Sequence, residues 1–194
     1  MARISKEDWI SRGLDVLSKE GYHAIRIDWL CSKFRITKGS FYHHFESLED
    51  YERQLLKFWE KRTLQGLEDV ISVSQSAESK LNSMIEWVFS FSGTLELSLR
   101  AWALHNKQVK KLLVTMETKR INMVTQMYAE IGLPKKEARE LAELGHATWV
   151  GIQTCNIEGV INPSRCRQLI NEMVRRFVKE LLPGKPEIDK ARRK

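Results

Sequence analysis

The chain has 194 residues, 42% of them hydrophobic and 29% charged, which describes an ordinary globular protein with a substantial core. No apolar run reaches the length of about 18 residues that a membrane-spanning helix needs, and the charged start MARISKEDW does not suit a signal peptide, so no membrane association and a cytoplasmic location are expected. Three cysteines (Cys31, Cys155, Cys166) at no ligand spacing argue against a disulfide framework, and the net charge of +7 points to a polyanionic partner.

The first helix is predicted to open at Ser5, with Asp8 three residues on as a near capping box, and to close at Gly21. Ile10, Leu14 and Leu17 give it one apolar stripe. A second helix follows over about Ile27 to Phe34, and Arg35 and Ile36 make the turn after it. Thr37 stands at the N-cap of a third helix, Lys38 to about Phe45. There Phe41 and Phe45 lie four apart and point inward, leaving Lys38, Ser40, Tyr42 and His43 outside. Trp29, Leu30, Phe34, Phe41 and Phe45 are expected to complete a small aromatic core. From Arg26 to His43 the chain carries Arg26, Lys33, Arg35 and Lys38 against the one acid Asp28. Two short helices around a tight turn, the second with a buried stripe and an outer row of hydrogen-bonding groups, form a helix-turn-helix suited to a DNA groove.

The run Thr37-Lys38-Gly39-Ser40-Phe41-Tyr42-His43-His44-Phe45-Glu46-Ser47 resembles the recognition-helix signature of the tetracycline repressor (TetR) family, and Gly21-Tyr22 matches the pair that ends that family's first helix. The resemblance covers about the first fifty residues; beyond them it extends only to length and helical pattern. It implies phosphate contacts for Tyr42 and His43 and a small-molecule pocket in the helical body. The chain departs from the family pattern at Arg35, where glycine is usual, at Arg26 for a capping Thr, at Leu48 for a lysine, and at Cys31 and Phe34 for alanines.

Ser47, with Asp50 after it, is predicted to cap a connecting helix over about residues 48–73 that buries Leu55, Phe58, Trp59 and Leu67. The polar stretch Ser72 to Ser79 reads as a loop between domains. Helices are expected over about Ala77 to Phe91, from a Thr94 cap to about His105, over Lys107 to Ile131, over Lys135 to Ile157 and over Ser164 to Leu182. Gly132-Leu133-Pro134 and Asn162-Pro163-Ser164 separate the last three. In the final helix Cys166, Leu169, Ile170, Met173, Val174, Phe177, Val178 and Leu181 form one continuous stripe. The basic tail from Pro183 reads as a solvated end. The expectation is an all-α protein of about nine helices: a three-helix head over 1–47, and a larger helical bundle over 48–194 for effector binding and dimerisation.

The DNA-contact candidates are Arg26, Arg35, Thr37, Lys38, Gly39, Ser40, Tyr42 and His43. Lys38, Ser40 and the backbone beside Gly39 fall nearest base edges, because Gly39 lacks a Cβ and permits close approach. Thr37 and the helix start it caps suit a phosphate, and Arg26 and Arg35 suit the DNA backbone. Phe89, Trp102, Met116, Met123, Met127 and Trp149 are large, adaptable candidates to line a pocket for a small apolar effector. Leu141, Gly145, Thr148, Ile152, Leu169, Ile170, Met173 and Phe177 are the dimer candidates, two helices from each copy making a four-helix bundle. Neither catalysis nor a metal or cofactor is indicated. Adjacent histidines such as His43 and His44 project about 100° apart on a helix, and His146 and Cys155 fall on opposite sides of theirs. The pattern therefore points to a sequence-specific, ligand-responsive repressor that binds a palindromic double-stranded operator as a homodimer. The alternatives are a helical binding protein or enzyme for a hydrophobic small molecule, and a non-specific DNA binder with a salt-dependent affinity.

Overall fold

A computed structural model describes residues 4–74, 76–90, 93–155 and 162–181. Its helices, in chain order, are α1 (Lys6–Glu20), α2 (Ile27–Phe34), α3 (Lys38–His44), α4 (Leu48–Ser72), α5 (Ala77–Phe89), α6 (Thr94–Ala103), α7 (Lys107–Ile131), α8 (Lys135–Cys155) and α9 (Pro163–Leu181), with a short 3-10 turn at Tyr22–Ala24. No strand occurs among the described residues, and no helix there is long and apolar enough to cross a membrane. The protein is all-α, as its periodicity predicts. The expected helix ends at Phe91, Ile157 and Leu182, the side chains of Cys155, Val178 and Leu181, and the tail from Pro183 lie outside the described residues.

Packing divides the chain into two compact units, Met1–Gln65 with Gly93–Met116, and Gly66–Ser92 with Glu117–Lys194. The head expected over 1–47 lies within the first unit, which also takes in the start of α4, all of α6 and the start of α7. A three-helix head this small buries too little surface to stand alone, and α6 supplies part of what it lacks. Leu99 and Trp102 of α6 are buried in the same core as α1, and Ser18 and Thr94 bring their hydroxyl oxygens within 2.6 Å. Thr94 is thus engaged with α1 and does not cap α6 as its position suggests. Gly93, in the left-handed region at φ 72°, takes the capping position instead.

The centre of the first core is Trp9, whose ring is fully buried. It packs edge-on against Phe34, Phe41, Phe45 and Tyr51 at centroid distances of 5.3, 5.5, 6.4 and 6.5 Å. The helix ends around it follow their local chemistry. Ser5 and Asp8 form the reciprocal capping box, each side chain accepting from the other's backbone amide at 3.1 Å. Gly21 closes α1 at φ 81°, and its amide donates to the Leu17 carbonyl.

At the start of α4 the Ser47 hydroxyl accepts from the Asp50 amide at 3.1 Å, while the buried Asp50 carboxylate accepts from Gln54 at 2.9 Å and from the Glu46 amide at 3.3 Å, and pairs with Arg53. The Gln54 bond, with the Glu46 amide and the charges of Arg53 and Lys6, holds this carboxyl below its ordinary value of 3.8 against the opposing effect of burial. A carboxyl depressed by folding contributes stability that is whole above the unfolded-state value and is lost as pH falls through the folded one. Asp50→Asn should therefore cost about 1 kcal/mol at neutral pH and flatten the loss of stability below about pH 4. Urea titrations at neutral and acid pH measure this, and an unchanged acid slope in the variant contradicts the assignment.

The second unit has its own core, built from Leu67 of α4, Leu81, Met84 and Ile85 of α5, Met127, Tyr128 and Ile131 of α7, Leu141, Ala142 and Ile152 of α8, and Ile170 and Val174 of α9. The stretch 72–79, expected as a loop between domains, contains the end of α4 and the first residues of α5, and the division between units falls within α4. Ser76 caps α5 by accepting from the Ser79 amide at 3.1 Å, which explains why a polar, small-residue stretch stops one helix and starts the next.

Candidate nucleic-acid interface

The turn between α2 and α3 is built by Arg35. It sits in the left-handed region at φ 57° and ψ 46°, the conformation glycine adopts most cheaply, and its amide donates to the Cys31 and Ser32 carbonyls. Ile36 closes the same corner with a bond from its amide to the Cys31 carbonyl at 2.9 Å. Thr37 is the N-cap of α3, its hydroxyl accepting from the Ser40 amide at 3.4 Å. Arg26 precedes α2 in the cap position with no side-chain capping bond.

From this corner α3 presents two faces. Phe41 and the following Phe45 are buried against Trp9 and Tyr51, as their spacing requires. Thr37, Lys38, Gly39, Tyr42 and His43 are exposed, Tyr42 by 57%, and Ser40 is half-buried beside them. Arg26 and Arg35 are exposed at the ends of α2. All eight DNA-contact candidates thus lie on consecutive elements of one unit. A Cβ added at Gly39 would meet only the Thr37 hydroxyl oxygen, at 3.7 Å, so nothing inside the protein requires glycine there. His44 turns away from the outer row, its Nε2 lying 3.0 Å from the Ile4 carbonyl oxygen.

Two features of this surface escape sequence reasoning. Trp29, expected in the aromatic core, is 47% exposed. Leu30 and Cys31 take the inward positions of α2, and the neighbouring Trp29 is rotated outward by helix geometry. Its indole N–H donates to Glu20 at 2.8 Å, and the same carboxylate pairs with Lys33. The second feature is Asp28, whose carboxylate lies 2.5 Å from Lys38 Nζ. That bond, and the opposite charge behind it, draw the Asp28 carboxyl below its ordinary value and push the Lys38 ammonium above its own. The two positions belong to different helices, so no periodicity announces the pair.

The effector candidates divide between the units. Trp102 and Met116 are buried in the first core. Met127 is buried in the second, with Phe89 and Met123 half-buried against it, and Trp149 is half-buried in the same unit. The Arg120 guanidinium lies 5.2 Å from the Trp149 ring, the His146 ring is 5.8 Å away, and the Trp149 indole N–H and His146 Nε2 are buried with no hydrogen-bond partner among the described residues. Of the dimer candidates, Leu141, Ile152 and Ile170 are buried in their own unit's core. Gly145, Thr148 and Met173 are half-buried, while Leu169 and Phe177 remain 46% and 43% exposed. Leu144, outside the predicted set, is 48% exposed as well. Among the described residues no group of three His, Cys, Asp or Glu side chains is placed to hold a metal ion.

Comparison with known proteins gives the fold a context. No family model matches the chain. The transcriptional regulator AcuR of Cereibacter sphaeroides is 30% identical over 59 residues, 30% of this chain and 27% of that protein. The curated relatives are matched over less than half of their own length. Solved structures align far more completely. A TetR-family transcriptional regulator from Streptomyces coelicolor superposes with a TM-score of 0.75 at 13% identity, over 89% of this chain and 93% of that one. A transcriptional regulator from Saccharomonospora viridis, solved in complex with choline, gives 0.77 at 16% identity over 87% and 94%. This likeness is one of fold: the chain has the fold of the TetR-family transcriptional regulators.

Proposed function

We propose that the chain is a sequence-specific DNA-binding transcriptional regulator, a ligand-responsive repressor that binds a two-fold operator as a homodimer. One observation carries this reading: the exposed row of Lys38, Gly39, Tyr42 and His43 on a short helix whose opposite side is locked into an aromatic core. A rigid backing fixes where each outer group points, which is the requirement for reading base edges. Lys38 and Ser40 serve the bases, Tyr42, His43, Arg26 and Arg35 the phosphates, and phosphate contacts set register while base contacts specify.

The exposed Leu144, Leu169 and Phe177, flanked by Thr148 and Met173, supply the face for a second copy, since a palindrome calls for a two-fold protein. The second unit, with Phe89, Met123, Met127 and Trp149, takes the small effector. The choline in the Saccharomonospora viridis regulator supports the ligand-responsive part. An effector changes DNA affinity only by as much as it distinguishes the two states of the protein.

The test is selection of duplexes from a randomised pool, followed by gel-shift titration. Lys38→Ala and Tyr42→Ala should each weaken binding to the selected duplex about tenfold or more, with the helix content unchanged. Full affinity in both variants sinks the assignment of α3.

A further inference from the structure

We infer that Asp28 is a positioning residue for DNA recognition, holding Lys38 on its own carboxylate until DNA offers acceptors that replace it. The inference rests on the DNA-binding reading above. The ion pair ties the first turn of α2 to the first residue of α3 at 2.5 Å, and both side chains lie in solvent, Lys38 62% and Asp28 68% exposed. An exposed pair of this kind adds little to folding stability. Its effect is on the surface that it shapes.

Asp28 is the sole acid between Arg26 and His43, so it places a negative charge within the basic face, with Arg26 as the other cation acting on it. Around Lys38 the charged or titratable groups that matter are Asp28, Tyr42 and Cys31. A free lysine at the head of α3 would bind any phosphate. A lysine held by Asp28 must exchange one anion for another, and the Asp28 charge left behind repels the phosphate backbone. A passing phosphate offers little advantage over the carboxylate, whereas two acceptors on a base edge, such as the O6 and N7 of guanine, offer more. The pair thereby lowers random binding more than specific binding and so sharpens discrimination.

The experiment uses the full chain, a random-sequence duplex and a duplex recovered from a randomised pool. Asp28→Asn should tighten binding to the random duplex several-fold, steepen its salt dependence by about one released ion, and lower the ratio of specific to random affinity. In a Lys38→Ala background the same substitution should lose most of that effect on the ratio, because the residue acts through Lys38. A uniform shift on both duplexes, equal with and without Lys38, overturns the inference while leaving DNA binding intact. Recovery of no preferred duplex at all overturns the DNA-reading assignment, and this inference with it. Asp28 is exposed, so the variant should fold, which circular dichroism verifies.

Discussion

Trp9→Ala should destabilise the protein by about 3–5 kcal/mol, the usual cost of truncating a buried Trp. Its indole lies among four aromatic rings: Phe34, Phe41, Phe45 and Tyr51 all meet it edge-on. Removing the indole leaves a cavity that these rings cannot all close, and Phe41 and Phe45 are the two that hold α3 in place. The loss is a large share of a total stability of about 5–15 kcal/mol. A melting temperature lower by about 10 °C, together with loss of DNA binding, is the expected outcome by thermal denaturation and gel shift. A drop of a degree or two contradicts the central role given to Trp9.

Gly13→Ala should also destabilise the protein, although alanine favours a helix over glycine by about 1 kcal/mol. A Cβ at Gly13 would stand 1.8 Å from the Tyr51 hydroxyl oxygen and 3.0 Å from Leu55 Cδ1. Tyr51 has no room to retreat. It is fully buried, donates to the Trp9 carbonyl at 2.9 Å, and packs on Phe45 at 4.9 Å. Overpacking of this kind costs about 1–3 kcal/mol and occasionally more, enough to reverse the helix-propensity gain. The mechanism has its own check. Tyr51→Phe removes the oxygen that clashes, so the double variant should be more stable than the two single losses add up to. Strict additivity, measured by urea denaturation, would show that Gly13 matters for another reason.

Much of the fold is legible because it is local. The Ser5–Asp8 box, Gly21, the Thr37 cap and the Ser47 cap are each written within a few residues, and each forms where it is expected. The inward pair Phe41 and Phe45 follows from helical spacing alone. What escapes is non-local. Trp9 shows no sign in the sequence that four rings from three other segments converge on it. Thr94 looks like a cap because Ser18, 76 residues away, is invisible to a local pattern. Trp29 and Asp28 are placed by their partners Glu20 and Lys38 across helix boundaries, where periodicity carries no information. The stripe of α9 is likewise ambiguous by periodicity. Ile170 and Val174 turn to the unit's own core, whereas Leu169 and Phe177 stay outside.

The functional reading depends on one spatial relation, the α3 face in the major groove. Methylation of guanine N7 alters the major-groove edge without changing base pairing, so methylation interference on the selected duplex tests it most directly. The expected result is two clusters of interfering guanines whose centres lie about one helical turn apart, or a multiple of it, with Lys38→Ala losing sensitivity at specific positions within each. Binding indifferent to N7 methylation across the whole duplex would contradict the placement of α3 in the groove.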